Sequence, residues 1–167
     1  MTRPLVLLDV DGVLNLGLFM SSRRRSRLRG DEGWLSTRAG GDVHDRWAER
    51  IVLNRRWGPM LRSLEDDGAE LAWATAWNQG ANWFISPLLG LGELPVAPAV
   101  HKRKAYTVVP WTEGRPWAWL EDIEDELDVA SALSRRRPHL PVLVDRETGL
   151  TGEHVERVRE WLVSLRD

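Results

Sequence analysis

Four short apolar runs, each closed by polar or acidic residues, set the rhythm of this chain. They are residues 4–9 (PLVLLD), 70–75 (ELAWAT), 116–122 (PWAWLED) and 141–145 (PVLVD). None shows the polar alternation of a half-solvated strand, so each is predicted to be a strand covered on both faces. Between them the spacing becomes helical. Asn54 is placed to cap a helix running to Asp67 and stopped by Gly68, and Asn78 to cap another through Ala81, Trp83, Phe84 and Ile85. Ile123, Leu127, Ala130 and Leu133 mark a third helix. Thr151 opens a last, amphipathic one with Val155, Val158, Trp161, Leu162 and Leu165 on one face. Strands alternating with helices predict a three-layer α/β fold around a doubly wound, mainly parallel sheet.

Residues 16–50 interrupt that alternation. They contain Gly17, Gly30, Gly33, Gly40 and Gly41 together with Arg23, Arg24, Arg25, Arg27 and Arg29. The segment reads as a small flap or cap insertion: a mobile loop, then a hairpin of residues 42–47 and 50–53. Such insertions beside the C-terminal edge of an open α/β sheet are where binding loops are kept. No repeat or linker divides the chain, so residues 1–167 are expected to form a single domain.

Composition narrows the chemistry. Lys and Arg number 23 against 25 Asp and Glu, a net charge of −2, so any affinity for polyanions must come from a local patch. The absence of Cys excludes disulfides, thiolate metal sites and thiol nucleophiles. No apolar stretch approaches the roughly 20 residues of a membrane span, and the early run is cut by Asp9 and Asp11. A cytoplasmic location without membrane association is the expectation.

The sharpest feature is Asp9-Val10-Asp11-Gly12-Val13-Leu14-Asn15, directly after the first strand. Two carboxylates two residues apart, with a glycine to permit a sharp turn, can both face the crevice at the sheet's edge. Held that close they repel, unless a cation joins them or one is protonated. Mg²⁺ suits them, since it takes oxygen ligands and links carboxylates to substrate phosphates. A calcium loop fails on spacing: counting from Asp9, Gly12 is fourth and the twelfth residue is Met20.

LLDVDGVLN resembles the first motif of the haloacid-dehalogenase-like (HAD) superfamily of aspartate-nucleophile phosphohydrolases. Further motifs follow in order. Thr75 in LAWATAWN stands where the superfamily has a phosphate-binding hydroxyl, His101-Lys102-Arg103-Lys104 where it has a lysine, and Glu121-Asp122 where it has an acidic pair. WATAWNQGAN and GRPWAWLED are similar to small bacterial HAD-like phosphatases of poorly defined function. The resemblance implies a HAD-like Rossmannoid fold and a Mg²⁺-dependent phosphomonoesterase. It also implies that Asp11 meets the metal through its backbone carbonyl. Glu121 departs from the Asp expected there, so Asp122 is favoured as metal ligand with Glu121 in reserve. Lys104 is preferred to Lys102 for its distance from the turn at residues 114–116.

The residues themselves support that assembly. Asp9 can attack phosphorus, Asp11 can serve as acid and then base, Thr75 offers a hydroxyl, and Lys104 or Lys102 offers positive charge. Asp9, Asp11, Asp122 and Glu121 are the candidate metal ligands. Gly12, Trp77 and Asn78 are candidate substrate-binding residues; Trp77 either stacks on a planar group or packs in the rim, and Asn78 and Asn82 are rim or cap residues. The expected partner is a phosphorylated small molecule or nucleotide. The arginines from Arg23 to Arg29 either bind a nucleic acid or extra anionic groups or are simply solvated. Trp73, Trp117 and Trp119 are expected inside the sheet's packing layers, while His44, His101, His139 and His154 have no metal-binding spacing. A catalytically impaired HAD-like binding or regulatory module and a nucleic-acid end-processing phosphatase are the alternatives.

Overall fold

The computed structural model describes residues 2–28, 30–39, 50–100 and 102–166. Strand β1 (Leu5–Leu8) is central, flanked by β4 (Glu70–Trp73) and β5 (Trp117–Glu121), and β6 (His139–Leu143) completes a parallel sheet of order β4-β1-β5-β6. Leu5 pairs with Glu70 on one side and Trp117 on the other, and Leu8 with Trp73 and Leu120. A parallel bridge from Trp73 to Val96 extends the β4 edge.

Alternation along β1 divides the core. Val6 and Leu8 join Leu71, Trp73, Ala118 and Leu120 on one face, under helices α2 (Trp57–Asp66) and α7 (Gly152–Ser164). Leu5 and Leu7 join Ala72, Trp117 and Trp119 on the other, against α5 (Ala105–Trp111) and α6 (Glu124–Leu133). All four residues of β1 are fully buried, each worth about 2 kcal/mol relative to exposure. The short helices α3 (Gly80–Phe84) and α4 (Ser86–Leu89) add to the first face, and α4 ends on Gly90 in the left-handed region. The result is the three-layer, parallel α/β architecture expected from the apolar runs.

Trp73, Trp117 and Trp119 fill the layers as expected. Trp117 and Trp119 meet edge to face at 6.4 Å, and Trp117 donates its indole N–H to Ser134 Oγ. Trp73 donates to Asn82 Oδ1 at 2.9 Å. Asn82 is therefore no rim residue. It is buried, accepts also from the Leu94 amide and Ser86 Oγ, and donates to the Leu94 carbonyl.

Several local expectations are corrected. Arg23 to Arg27 lie in a helix, α1 (Ser22–Leu28), with Ser21 Oγ accepting the Arg24 amide at its start, and Arg29 is outside the described residues. The hairpin pairs β2 (Trp34–Arg38) with β3 (Arg50–Asn54); the arm expected at residues 42–47 lies outside the described residues. Trp34 selects the observed partner by packing edge-on against Trp57 at 5.6 Å. Asn54 ends β3 and accepts the Arg56 amide in an Asx turn, so α2 starts at Trp57 without a side-chain cap. Asn78 also caps no helix: α3 follows Gln79, and Asn78 has φ 46°. Strand β6 begins two residues before the expected run, with Pro141 tolerated on an edge strand. Thr151 does open α7, in a capping box with His154. Among the described residues, no helix is long and apolar enough to cross a membrane.

Candidate active site

The crevice lies where β1, β4 and β5 end together. Asp9 follows β1 and keeps the ladder, its amide donating to the Leu120 carbonyl at 3.1 Å, so its side chain leaves the sheet at a fixed place. The chain then folds on itself, with the amides of Val13, Leu14 and Asn15 all directed at the Val10 carbonyl. Gly12 makes this possible with φ +80°. A Cβ there would also come within 2.4 Å of Asp122 Oδ2, so the glycine leaves space for the opposing carboxylate.

Asn15 is the buried clamp of this loop. Its Oδ1 accepts the Gly17 and Val52 amides, while its Nδ2 donates to Asp11 Oδ1 at 2.9 Å and to the Arg50 carbonyl at 3.2 Å. The Trp77 indole donates to Asp11 Oδ2 at 2.8 Å. Both oxygens of Asp11 thus accept N–H bonds, which fix the carboxyl plane. Trp77 itself is half-buried, edge-on to Phe84. Thr75, just past β4, is buried, and its Oγ1 accepts the Trp77 amide.

Lys104 closes the crevice from the opposite side. It immediately precedes α5, whose first amide, at Ala105, is held by the buried Glu126 carboxylate of α6 at 2.9 Å. Its Nζ lies 3.0 Å from Asp9 Oδ2 and 2.7 Å from Glu121 Oε2. Burial draws the ammonium's pKa down, but the Asp9 and Glu121 carboxylates outweigh it and push it up to about 12. Glu121, the last residue of β5, is fully buried; burial and then the Asp9 charge raise its pKa despite the lysine. Asp122 is raised as well, chiefly by burial, and Arg146 lies 3.0 Å from its Oδ2.

Asp9, Glu121 and Asp122 each place a carboxylate oxygen within 4.8 Å of the others. Three hard oxygen donors at this separation, on two adjacent strand ends, fit a small divalent cation such as Mg²⁺. Asp11 stands beside this group, with its side chain directed to Asn15 and Trp77.

No family model and no curated protein matches the chain. Solved structures do. The HAD domain of effector protein Lem4 from Legionella pneumophila aligns over 96% of this chain and 94% of its own, with TM-score 0.58 and 12% identity. The fold is HAD-like. An inactive mutant of the same domain aligns over 98% of this chain and 94% of its own, with TM-score 0.59 and 12% identity.

In this HAD-like fold the remaining candidates fall at different distances from the crevice. Lys102 is exposed, whereas Lys104 is in it. Asn78 uses its side chain on backbone, donating to the Ala76 carbonyl and accepting the Ala99 amide. Two contributors went unmarked at the sequence level. Asn15 closes the first motif and carries its signal only as a buried amide. Arg146 reaches Asp122 because it follows β6 at the same sheet edge, and its guanidinium also lies 4.7 Å from the Phe19 ring centroid.

Proposed function

We propose that this chain is a Mg²⁺-dependent phosphohydrolase, a phosphomonoesterase acting through an aspartyl-phosphate on Asp9. The observation that carries the reading is the Lys104 ammonium placed against both Asp9 and Glu121 at the sheet's C-terminal edge. Asp9 and Asp122 would hold Mg²⁺, with Glu121 behind them. When bound, the ion supplies positive charge beside the phosphoryl oxygens.

The chain's own groups then divide the work. An Asp9 carboxylate oxygen attacks phosphorus, and the ester oxygen departs with a proton from Asp11. Asp11, oriented by Asn15 and Trp77, next takes a proton from water, whose oxygen attacks the same phosphorus. The P–O bond to Asp9 breaks, releasing inorganic phosphate and restoring the carboxylate. Lys104 and the Thr75 hydroxyl offset charge on the phosphoryl oxygens. The substrate is a phosphorylated small molecule or nucleotide.

Hydrolysis of an aryl phosphate, with Mg²⁺ and with chelator, tests this. Turnover that requires the metal and vanishes in Asp9→Asn is expected; equal turnover in the variant sinks the nucleophile assignment. A second reading has its own support. Glu121 has a longer arm than the Asp expected there and is fully buried, which favours a binding or regulatory module. Mg²⁺-dependent binding of beryllofluoride without turnover on any phosphate ester would select it.

A further inference from the structure

Between α1 and the β2–β3 hairpin lies an open cleft of about 660 Å³. Arg25, Arg38 and Arg50 line it with Ser36, Thr37 and Trp34, and among the described residues no acidic one lines it. Among the described residues, none of these three arginines has a carboxylate within ion-pair distance. Arg38 and Arg50 are directly opposite in the β2–β3 register. Like charges opposite each other weaken a strand pair, so this placement costs stability unless an anion sits between them. The neighbouring helix repeats the pattern. α1 has seven residues, four of them arginines, buries none of them and has no acid in its first turn. A helix that short is marginal without packing or a counter-charge.

A single buried side chain, Asn15, links the cleft's lining to the crevice. Arg50 lines the cleft, and the Arg50 carbonyl is held by the Asn15 amide that also holds Asp11. We infer that this cleft binds a second phosphate group of the substrate, making the preferred substrate a nucleotide phosphorylated at more than one position. Guanidinium forks match phosphate oxygens in pairs, the Ser36 and Thr37 hydroxyls add donors, and Trp34 offers an aromatic surface to the base. The assignment of the second phosphate rests on the phosphohydrolase reading, which supplies the first.

Calorimetric titration of the Asp9→Asn protein, in chelator, with adenosine 5′-monophosphate and adenosine 3′,5′-bisphosphate tests the cleft separately from turnover. The bisphosphate is expected to bind about tenfold more tightly, the equivalent of one good charge-assisted pair. Arg38→Ala with Arg50→Ala should abolish that advantage and leave the melting temperature equal or higher, since two facing cations are removed. Arg38→Lys with Arg50→Lys should retain part of it. A 5′-phosphorylated tetranucleotide that outcompetes the bisphosphate would name a nucleic-acid end as the source of the second phosphate. Equal affinity for all three probes, or an advantage that survives the double alanine change, overturns the inference. Absence of metal-dependent aryl phosphate turnover in the unsubstituted protein, alongside a retained bisphosphate preference, would overturn the phosphohydrolase reading alone.

Discussion

Lys104 has only 12% of its side chain exposed and lies between two carboxylates, whereas Arg38, exposed on the flap, faces another arginine across the hairpin. The chain's near-neutral total hides this division. At the sheet edge each buried charge is answered by another, and removing one member leaves its partners stranded in a poorly solvated place. On the flap the positive charge is in surplus at the surface, so single changes there should move ligand affinity far more than stability. One region is coupled to folding, and the other carries positive charge that no carboxylate among the described residues answers.

The largest expected effect tests the first half of that contrast. Lys104→Met should destabilise the protein by about 3–5 kcal/mol, read as a lower denaturant midpoint, because Asp9 and the buried Glu121 lose their counter-charge. A loss below about 1 kcal/mol would mean that solvent already screens the crevice. Gly12→Ala comes next. Its left-handed φ and the 2.4 Å approach to Asp122 Oδ2 should together cost about 1–3 kcal/mol in the same measurement.

A pH series places a third ionisable group outside both regions. Burial lowers the His154 pKa below 6.5, and its Nδ1 accepts the Thr151 amide in the neutral form. A depressed histidine contributes stability in full above its unfolded value and loses it as pH falls through the folded value. The melting temperature of His154→Gln should therefore fall less than that of the parent on going from about pH 7.5 to about pH 5. A parallel decline would remove His154 from the acid response. The smallest effect belongs to the flap. Arg27→Glu, on a helix that buries nothing, should shift stability by no more than about 0.5 kcal/mol, and in the stabilising direction, by relieving Arg23.

The sheet was legible because a strand covered on both faces has to be apolar throughout, and β1 and β5 are written that way. The Thr151 cap was legible for a similar reason, since its partner His154 is three residues away. Asn54 misled because an Asx turn and a helix cap use the same short acceptor, and Asn78 because its acceptor is taken by the distant Ala99 amide. What separates turn from cap is where the next backbone amide points, and tertiary packing decides that. The hairpin partner was hidden likewise: β2 is chosen by Trp34 finding Trp57, a contact between distant positions. In the crevice the carboxylates stood out as a motif. Arg146 did not, for nothing near it in sequence marks a side chain that reaches across from β6 to Asp122.

The placement of β1 at the middle of an all-parallel sheet also governs how this protein is made. The strand leaves the ribosome before either neighbour, since the partners at Glu70 and Trp117 are synthesised much later. Until both have docked, an apolar segment with open backbone edges waits without partners, a state that favours slow assembly and chaperone engagement. Asp9 and Lys104 meet only when that wait is over. A nascent chain halted before β5 would carry the first motif intact and have no crevice to put it in.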